Sequence, residues 1–266
     1  MSADIKNLRI RLKSVSSTLH LTSAMGLVAS SKIRKATDAM VKGKEYAAAL
    51  EKTVSILTGC QECKKSPYMA KPQGEKTCIL VIAGDRGMAG GYNANVFRLA
   101  SQFPEAEILT VGKRAAERFG TKECFAETFS PVEAREFANK ICSDFLAGKI
   151  YRFGVITTEY HSMMKQEACV RWLLPLSETE KASQSAVFEP DEITVLNAVI
   201  PDYIAGMIHS SVKESFASEI AARRVAMDNA EKNARGMIEE LELKYNRARQ
   251  GAITQEITEI VAGSGV

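Results

Sequence analysis

Ile33-Arg-Lys-Ala36-Thr-Asp-Ala-Met40-Val-Lys-Gly43-Lys-Glu-Tyr-Ala47-Ala-Ala-Leu50-Glu-Lys-Thr-Val54-Ser-Ile-Leu57 is the stretch that decides the fold. Its apolar and small residues recur at alternating steps of three and four, the heptad seam of a helix packed along another helix. Upstream, Ile5, Leu8, Leu12, Val15 and Leu19 keep the same steps, and the pattern reads as slipping near Gly26 before it resumes at Ile33. At the other end of the chain Met227, Ala230, Ala234, Met237 and Leu241 do likewise, continuing through Tyr245, Ala248 and Ala252. Many seam residues are Ala or Gly, so the two helices approach closely and the contact is slim.

Proline placement leaves both ends free to be helical over great lengths. All seven prolines lie between Pro67 and Pro201, and a proline in a helix interior costs about 3 kcal/mol. Helices of roughly 50–60 residues would run about 75–90 Å, far beyond the usual globular helix. Residues 1–57 carry ten Lys/Arg against four Asp/Glu, whereas residues 202–266 carry eight against ten. A basic arm and a mildly acidic arm leaving the same middle segment predict an antiparallel intramolecular coiled coil, one helix projecting beyond its partner.

Between the arms, strand and helix patterns alternate. Thr77-Cys-Ile-Leu-Val-Ile-Ala83 is a buried-strand run, followed by a glycine turn and a helical stretch from Asn93 to Gln102. Glu107–Val111, Phe153–Thr158 and Ala168–Leu174 read as strands, and Lys113–Phe119 and Val132–Leu146 as helices. Such alternation predicts an α/β layer with a largely parallel sheet. The fold class is therefore α/β: an antiparallel coiled coil of long N- and C-terminal helices plus a Rossmann-like middle domain, with boundaries at 1–58, 68–200 and 202–264.

Composition narrows the function classes. Apolar residues make up 45% and charged residues 25%, which argues against disorder. No apolar run approaches the ~18–20 residues of a membrane span. Met1-Ser-Ala-Asp-Ile-Lys6 lacks the apolar core of a secretory signal, and Asp4 suits a transit peptide poorly; a cytosolic compartment is expected. The six cysteines read as free thiols in a reducing compartment, several in core positions. Cys60-x-x-Cys63 lacks a second ligand pair, so it reads as a surface loop with two thiols rather than a zinc site.

Gly84-Asp-Arg-Gly-Met-Ala-Gly-Gly91 follows a strand and precedes a helix. Two readings stand. Backbone N–H groups at a helix N-terminus can cradle phosphate, which would make the chain a nucleotide-binding α/β enzyme with helical extensions. The sequence has neither the Gly-Lys-Ser/Thr ending of a Walker loop nor G-x-G-x-x-G spacing, so a tight turn needing positive φ, with Asp85 and Arg86 free for partners, is favoured. His20, His161 and His209 lie in separate segments and no nucleophile elbow is present. No catalytic or metal-ligating residues and no cofactor are expected. Basic clusters at Lys6, Arg9, Arg11, Lys13 and at Lys32, Arg34, Lys35 could mark a coiled-coil nucleic-acid adaptor, but the arm holds one aromatic, Tyr46, and base stacking is not expected.

Several segments, in order along the chain, resemble the gamma subunits of F-type ATP synthases. Ser16-Ser-Thr-Leu-His-Leu-Thr-Ser-Ala-Met-Gly-Leu-Val-Ala-Ser-Ser-Lys-Ile-Arg-Lys35 is similar to their amino-terminal signature, and Gly84–Asn93 to their Ser-Asp-Arg-Gly-Leu-Cys-Gly-Gly-Leu-Asn loop. Phe188-Glu-Pro-Asp191 and the stretch from Arg223 to Val261 match motifs before and along their C-terminal helix. The resemblance implies a non-catalytic rotor shaft, one copy per complex. Its coiled coil would stand inside a hexamer of alpha and beta subunits, with the middle domain against the epsilon subunit and the ring of c subunits. It also implies a place on the cytoplasmic face of a bacterial membrane, reached only through the complex, with no nucleic-acid partner. The implied contacts are Met25, Lys32 and Arg34 near acidic beta loops, and Arg249, Gln250, Thr254 and Glu256 at the beta catch region. Arg223 would lie in the same zone, and Asp85, Arg86 and Ala89 would face the lower part of a beta subunit. Ser23 stands where the family often has Lys, and Met88 and Ala89 where it often has Leu and Cys.

Overall fold

The computed structural model describes residues 2–70, 76–178 and 188–263, so the last residue of the expected 202–264 helix lies outside them. In chain order the elements are α1 (Ser2–Thr58), a 3-10 turn (Glu62–Lys65), β1 (Lys76–Ile82), α2 (Tyr92–Ala100), β2 (Glu107–Val111), α3 (Lys113–Phe119), α4 (Pro131–Leu146), β3 (Ile150–Tyr160), β4 (Gln166–Leu174) and α5 (Glu192–Gly263). Contacts divide the chain into two compact units: Met1–Ser30 with Arg224–Val266, and Ser31–Arg223.

The first unit pairs the start of α1 with the end of α5. Ser23 Oγ donates to Glu231 Oε2 at 3.0 Å, a Cβ on Gly26 would lie 3.5 Å from Met227 Cβ, and Arg11 acts electrostatically on Glu240. As the number on α1 falls from 26 to 11 its partner's rises from 227 to 240, so the helices run antiparallel. Gly26 is no slip in the seam. Thr22, Gly26 and Ala29 are buried at the steps that join Leu19 to Ile33, so alternation of three and four holds from Ile5 to Leu57. Small and polar residues hid the seam because they bury too little surface to show in a hydropathy pattern. On α5 the expected seam residue Met237 is 42% exposed, and Ile238, beside Leu241, turns inward instead.

The second unit is built on a sheet ordered β2-β1-β3-β4. β1 lies parallel to both β2 and β3, whereas β4 is antiparallel to β3. The helices between β1, β2 and β3 allow parallel crossovers; only His161–Lys165 joins β3 to β4, too short for one. β1 is central and buried on both faces. Cys78, Leu80 and Ile82 enter one core with Leu57, Phe145 and Ile200; Ile79, Val81 and Ala83 enter the other with Val96, Ala115 and Ile156. That double burial is why β1 is an unbroken apolar run rather than an alternating one.

In α5 the stretch from Tyr203 to Ala221 is buried almost all round, including Ser210, Ser211, Ser215, Ser218 and two glutamates. Its polar groups hold it to β3 and to the start of α2. Thr157 Oγ1 donates to the Ser211 carbonyl at 3.1 Å, Ser218 Oγ to that of Thr158 at 3.2 Å, and Tyr92 OH to that of Ser215 at 3.0 Å. Pro201 lies inside this helix, although proline is a helix breaker. Leu196, Ile200 and Ile204 around it are fully buried, at ~1.5–3 kcal/mol each enough to offset the lost hydrogen bond. Cys63 corrects the reading of Cys60–Cys63 as a surface loop: it is fully buried, on a 3-10 turn, and burial pushes its thiol up to about 11.

Candidate functional site

The glycine turn after β1 is locked from beneath by α5. Gly84 N–H donates to Asn93 Oδ1 at 2.9 Å, and a Cβ at Gly84 would lie 2.7 Å from Glu219 Cδ, so only glycine fits. Met88 and Gly90 take left-handed φ of 59° and 58°, the positive-φ turn expected of this motif. Arg223, one helical turn beyond Glu219, forms an ion pair with it. Its guanidinium also donates to the Gly87 carbonyl at 3.3 Å and to that of Arg86 at 3.4 Å.

Asp85 faces inward. Its carboxylate accepts from the N–H groups of Lys113 at 3.1 Å, Ala126 at 3.0 Å and Glu127 at 2.9 Å, tying the turn to α3 and to the loop before α4. Glu127 pairs in turn with Lys32 of α1. Lys32, the neighbouring Asp85 and Arg86, and Arg223 thus come from distant parts of the sequence into one polar cluster with Glu127 and Glu219.

Burial raises Glu219's pKa above its ordinary value; Arg223 opposes this and Asp85 adds to it. The Lys32 hydrogen bond pulls Glu127 down, assisted by the charges of Lys32, Arg86 and Arg223. With carboxylates beneath it, carbonyls turned to Arg223 and the Gly84 N–H already engaged, the turn is built as a clamp. A phosphate cradle needs the reverse polarity.

The remaining expected contact residues fall in different settings. Ala89 is 2% exposed and offers no side chain to a partner, while Met88 beside it is 61% exposed. Arg223 has only 12% of its side chain exposed, and Arg34 is exposed on α1. In the first unit Met25 is half-buried, whereas Arg249, Gln250, Thr254 and Glu256 are all exposed. Ile253, Ile257 and Ile260, spaced four and three, are 47%, 56% and 67% exposed there. Ser23, standing where Lys is common, serves the helix pair through Glu231.

Among the described residues no group of three or more His, Cys, Asp or Glu could hold a metal ion, and no helix is long and apolar enough to cross a membrane.

Comparison with known proteins follows this architecture from end to end. The family model described as ATP synthase matches residues 4–265. The chain is 38% identical to the ATP synthase gamma chain of Ruminococcus albus over 281 residues, covering 98% of each. It is 35% identical to that of Moorella thermoacetica over 277 residues, again covering 98% of each. Among solved structures it resembles a chain of the Euglena gracilis mitochondrial ATP synthase with a TM-score of 0.69 at 20% identity, covering 100% of this chain and 97% of that one. A chain of the central stalk and c-ring structure of the Tetrahymena thermophila mitochondrial enzyme gives 0.61 at 20% identity, covering 79% and 99%. With a family model spanning nearly its whole length and relatives above 30% identity, the chain belongs to the ATP synthase gamma-chain family.

Proposed function

We propose that this chain is the central rotor shaft of an F-type ATP synthase, coupling ion-driven rotation of a membrane c ring to conformational change at the catalytic sites of the beta subunits. The observation that carries this reading is the end-to-end likeness to gamma chains, at 38% and 35% identity over 98% of both partners. Residues 1–58 and 202–264 serve as the shaft and 68–200 as the middle domain that meets the epsilon subunit and the c ring. One copy sits in a head of alternating alpha and beta subunits, at the cytoplasmic face of a bacterial membrane and peripheral to it.

The chain does no bond chemistry and has no catalytic site of its own; its contribution is asymmetry. A single shaft makes different contacts with each of three otherwise equivalent catalytic subunits, and that difference biases their nucleotide-binding states. Arg249, Gln250, Thr254 and Glu256, exposed at the end of α5, are the contacts best placed for this. Exposed charge pairs are worth only about 0–1 kcal/mol each, so they exchange readily as the shaft turns. Met25, Lys32, Arg34 and Arg86 add contacts on α1 and the glycine turn. Asp85, Ala89 and Arg223 support that turn from within.

Purified chain mixed with the alpha and beta subunits of the same organism is expected to form a complex with one copy per three alpha–beta pairs and to raise ATPase activity. Failure to assemble with folded partners would overturn the reading. In the assembled complex, Arg249→Ala with Gln250→Ala is expected to lower coupled ATP synthesis several-fold while the isolated chain's melting temperature stays unchanged. Normal coupling in that variant would remove these positions from the contact set.

A further inference from the structure

A groove of about 490 Å³ lies on the second unit between α1, α4 and α5, away from the glycine-turn cluster. We propose that it binds an amphiphilic monoanion, an aromatic body carrying one carboxylate.

The concavity arises from small side chains on two neighbouring helices: Ala39 and Gly43 on α1, Ala205 and Gly206 on α5. At Gly206 a Cβ would run into the Leu50 side chain. Tyr46 lines the groove and is 55% exposed, offering a ring face to an aromatic guest. The volume and the largely apolar walls suit a small organic ligand, for which sites of roughly 300–1,000 Å³ are usual and often lie between helices.

Charge selects the sign and the number. Lys42, Arg135 and Lys213 line the same groove. Arg135 is cancelled by its ion pair with Asp202, whereas Lys42 is exposed and has no acidic partner among the described residues. Lys213 Nζ donates to the Phe129 carbonyl at 2.7 Å, leaving two N–H bonds, and Glu133 offsets part of its charge. What remains balances one anionic group, not the several of a nucleotide. His209 adds a ring stacked on Phe129 with centroids 6.5 Å apart. Burial, then Lys213, lowers its pKa, so near neutral pH it serves as an uncharged hydrogen-bonding group.

The test is calorimetric titration of the full chain with 2-naphthylacetate, and with 2-naphthaleneethanol as the uncharged counterpart. One saturable site per chain is expected, with the alcohol weaker by about tenfold. Lys42→Glu should weaken the acid by about tenfold and leave the far-UV spectrum unchanged. Lys52→Glu, exposed on the same helix but outside the groove, should bind as the unaltered chain does, and Ala39→Trp should abolish binding. Absence of saturable binding, equal affinity for acid and alcohol, or equal effects of Lys42→Glu and Lys52→Glu would overturn the proposal.

Discussion

Glu219 and Arg223 show how one ion pair sets the conformation of a loop far away in sequence. Glu219 is about as buried as a carboxylate can be, at 1% exposed, and removing one member of a buried pair leaves an uncompensated charge costing about 3–5 kcal/mol. Arg223→Ala is therefore expected to destabilise the chain by about 3 kcal/mol at pH 8, measured by urea unfolding, and by less at pH 5, where Glu219 can take a proton. Linkage gives a second expectation. Burial raises the folded-state pKa of Glu219 above its ordinary 4.5, so the folded chain holds this proton more tightly than the unfolded one. Its contribution to stability is present below pH 4.5 and is lost as pH rises through the higher folded value. Glu219→Gln should flatten that decline in urea midpoints taken between pH 4.5 and 8; an unchanged slope would show that Glu219 does not titrate abnormally.

Along α5, glycines separate by what surrounds them. Gly236 has open space where a Cβ would go, so Gly236→Ala should stabilise the helix there by about 1 kcal/mol, seen as slower amide hydrogen exchange on either side of it. Gly206 is the opposite case, with Leu50 and Tyr46 against it, and Gly206→Ala should cost about 1–3 kcal/mol by overpacking. Equal effects of the two substitutions on thermal unfolding would contradict this packing. α4 starts on a reciprocal cap, Ser130 and Glu133 each satisfying the other's backbone N–H. The Ser-x-x-Glu pattern is readable from sequence, although the notional start at Val132 fell one residue inside the observed Pro131.

For the molecule as a whole, thiol chemistry reports which surfaces are closed. Cys63, Cys78 and Cys142 are buried, and burial pushes their thiols up to about 11, 12 and 11. Reactivity needs the thiolate and access to it. A disulfide reagent at pH 8 should leave these three unmodified in the folded chain and modify all six cysteines after denaturation. Rapid labelling of Cys63 in the folded state would show that the 3-10 turn opens and that the thiol is not a core group.

Read alone, the sequence determined the elements: long proline-poor ends with heptad steps, and six of the seven strand and helix segments of the middle placed within two residues of their observed bounds. These are local properties, set by spacing and by single residues such as Pro131 at a helix start. The Gly26 region, Met237 against Ile238 and Pro201 were misread, because small residues carry little hydropathy signal and because burial can outweigh propensity. Only the tertiary structure decided that Asp85 and Arg223 turn inward, that Ala89 is closed while Met88 faces out, and that Glu127 and Glu219 complete their cluster. The cluster's residues come from α1, α5 and two loops, and no periodicity links them. Their pairing exists only because the sheet and the buried stretch of α5 bring charged groups close enough that desolvation leaves each needing the other.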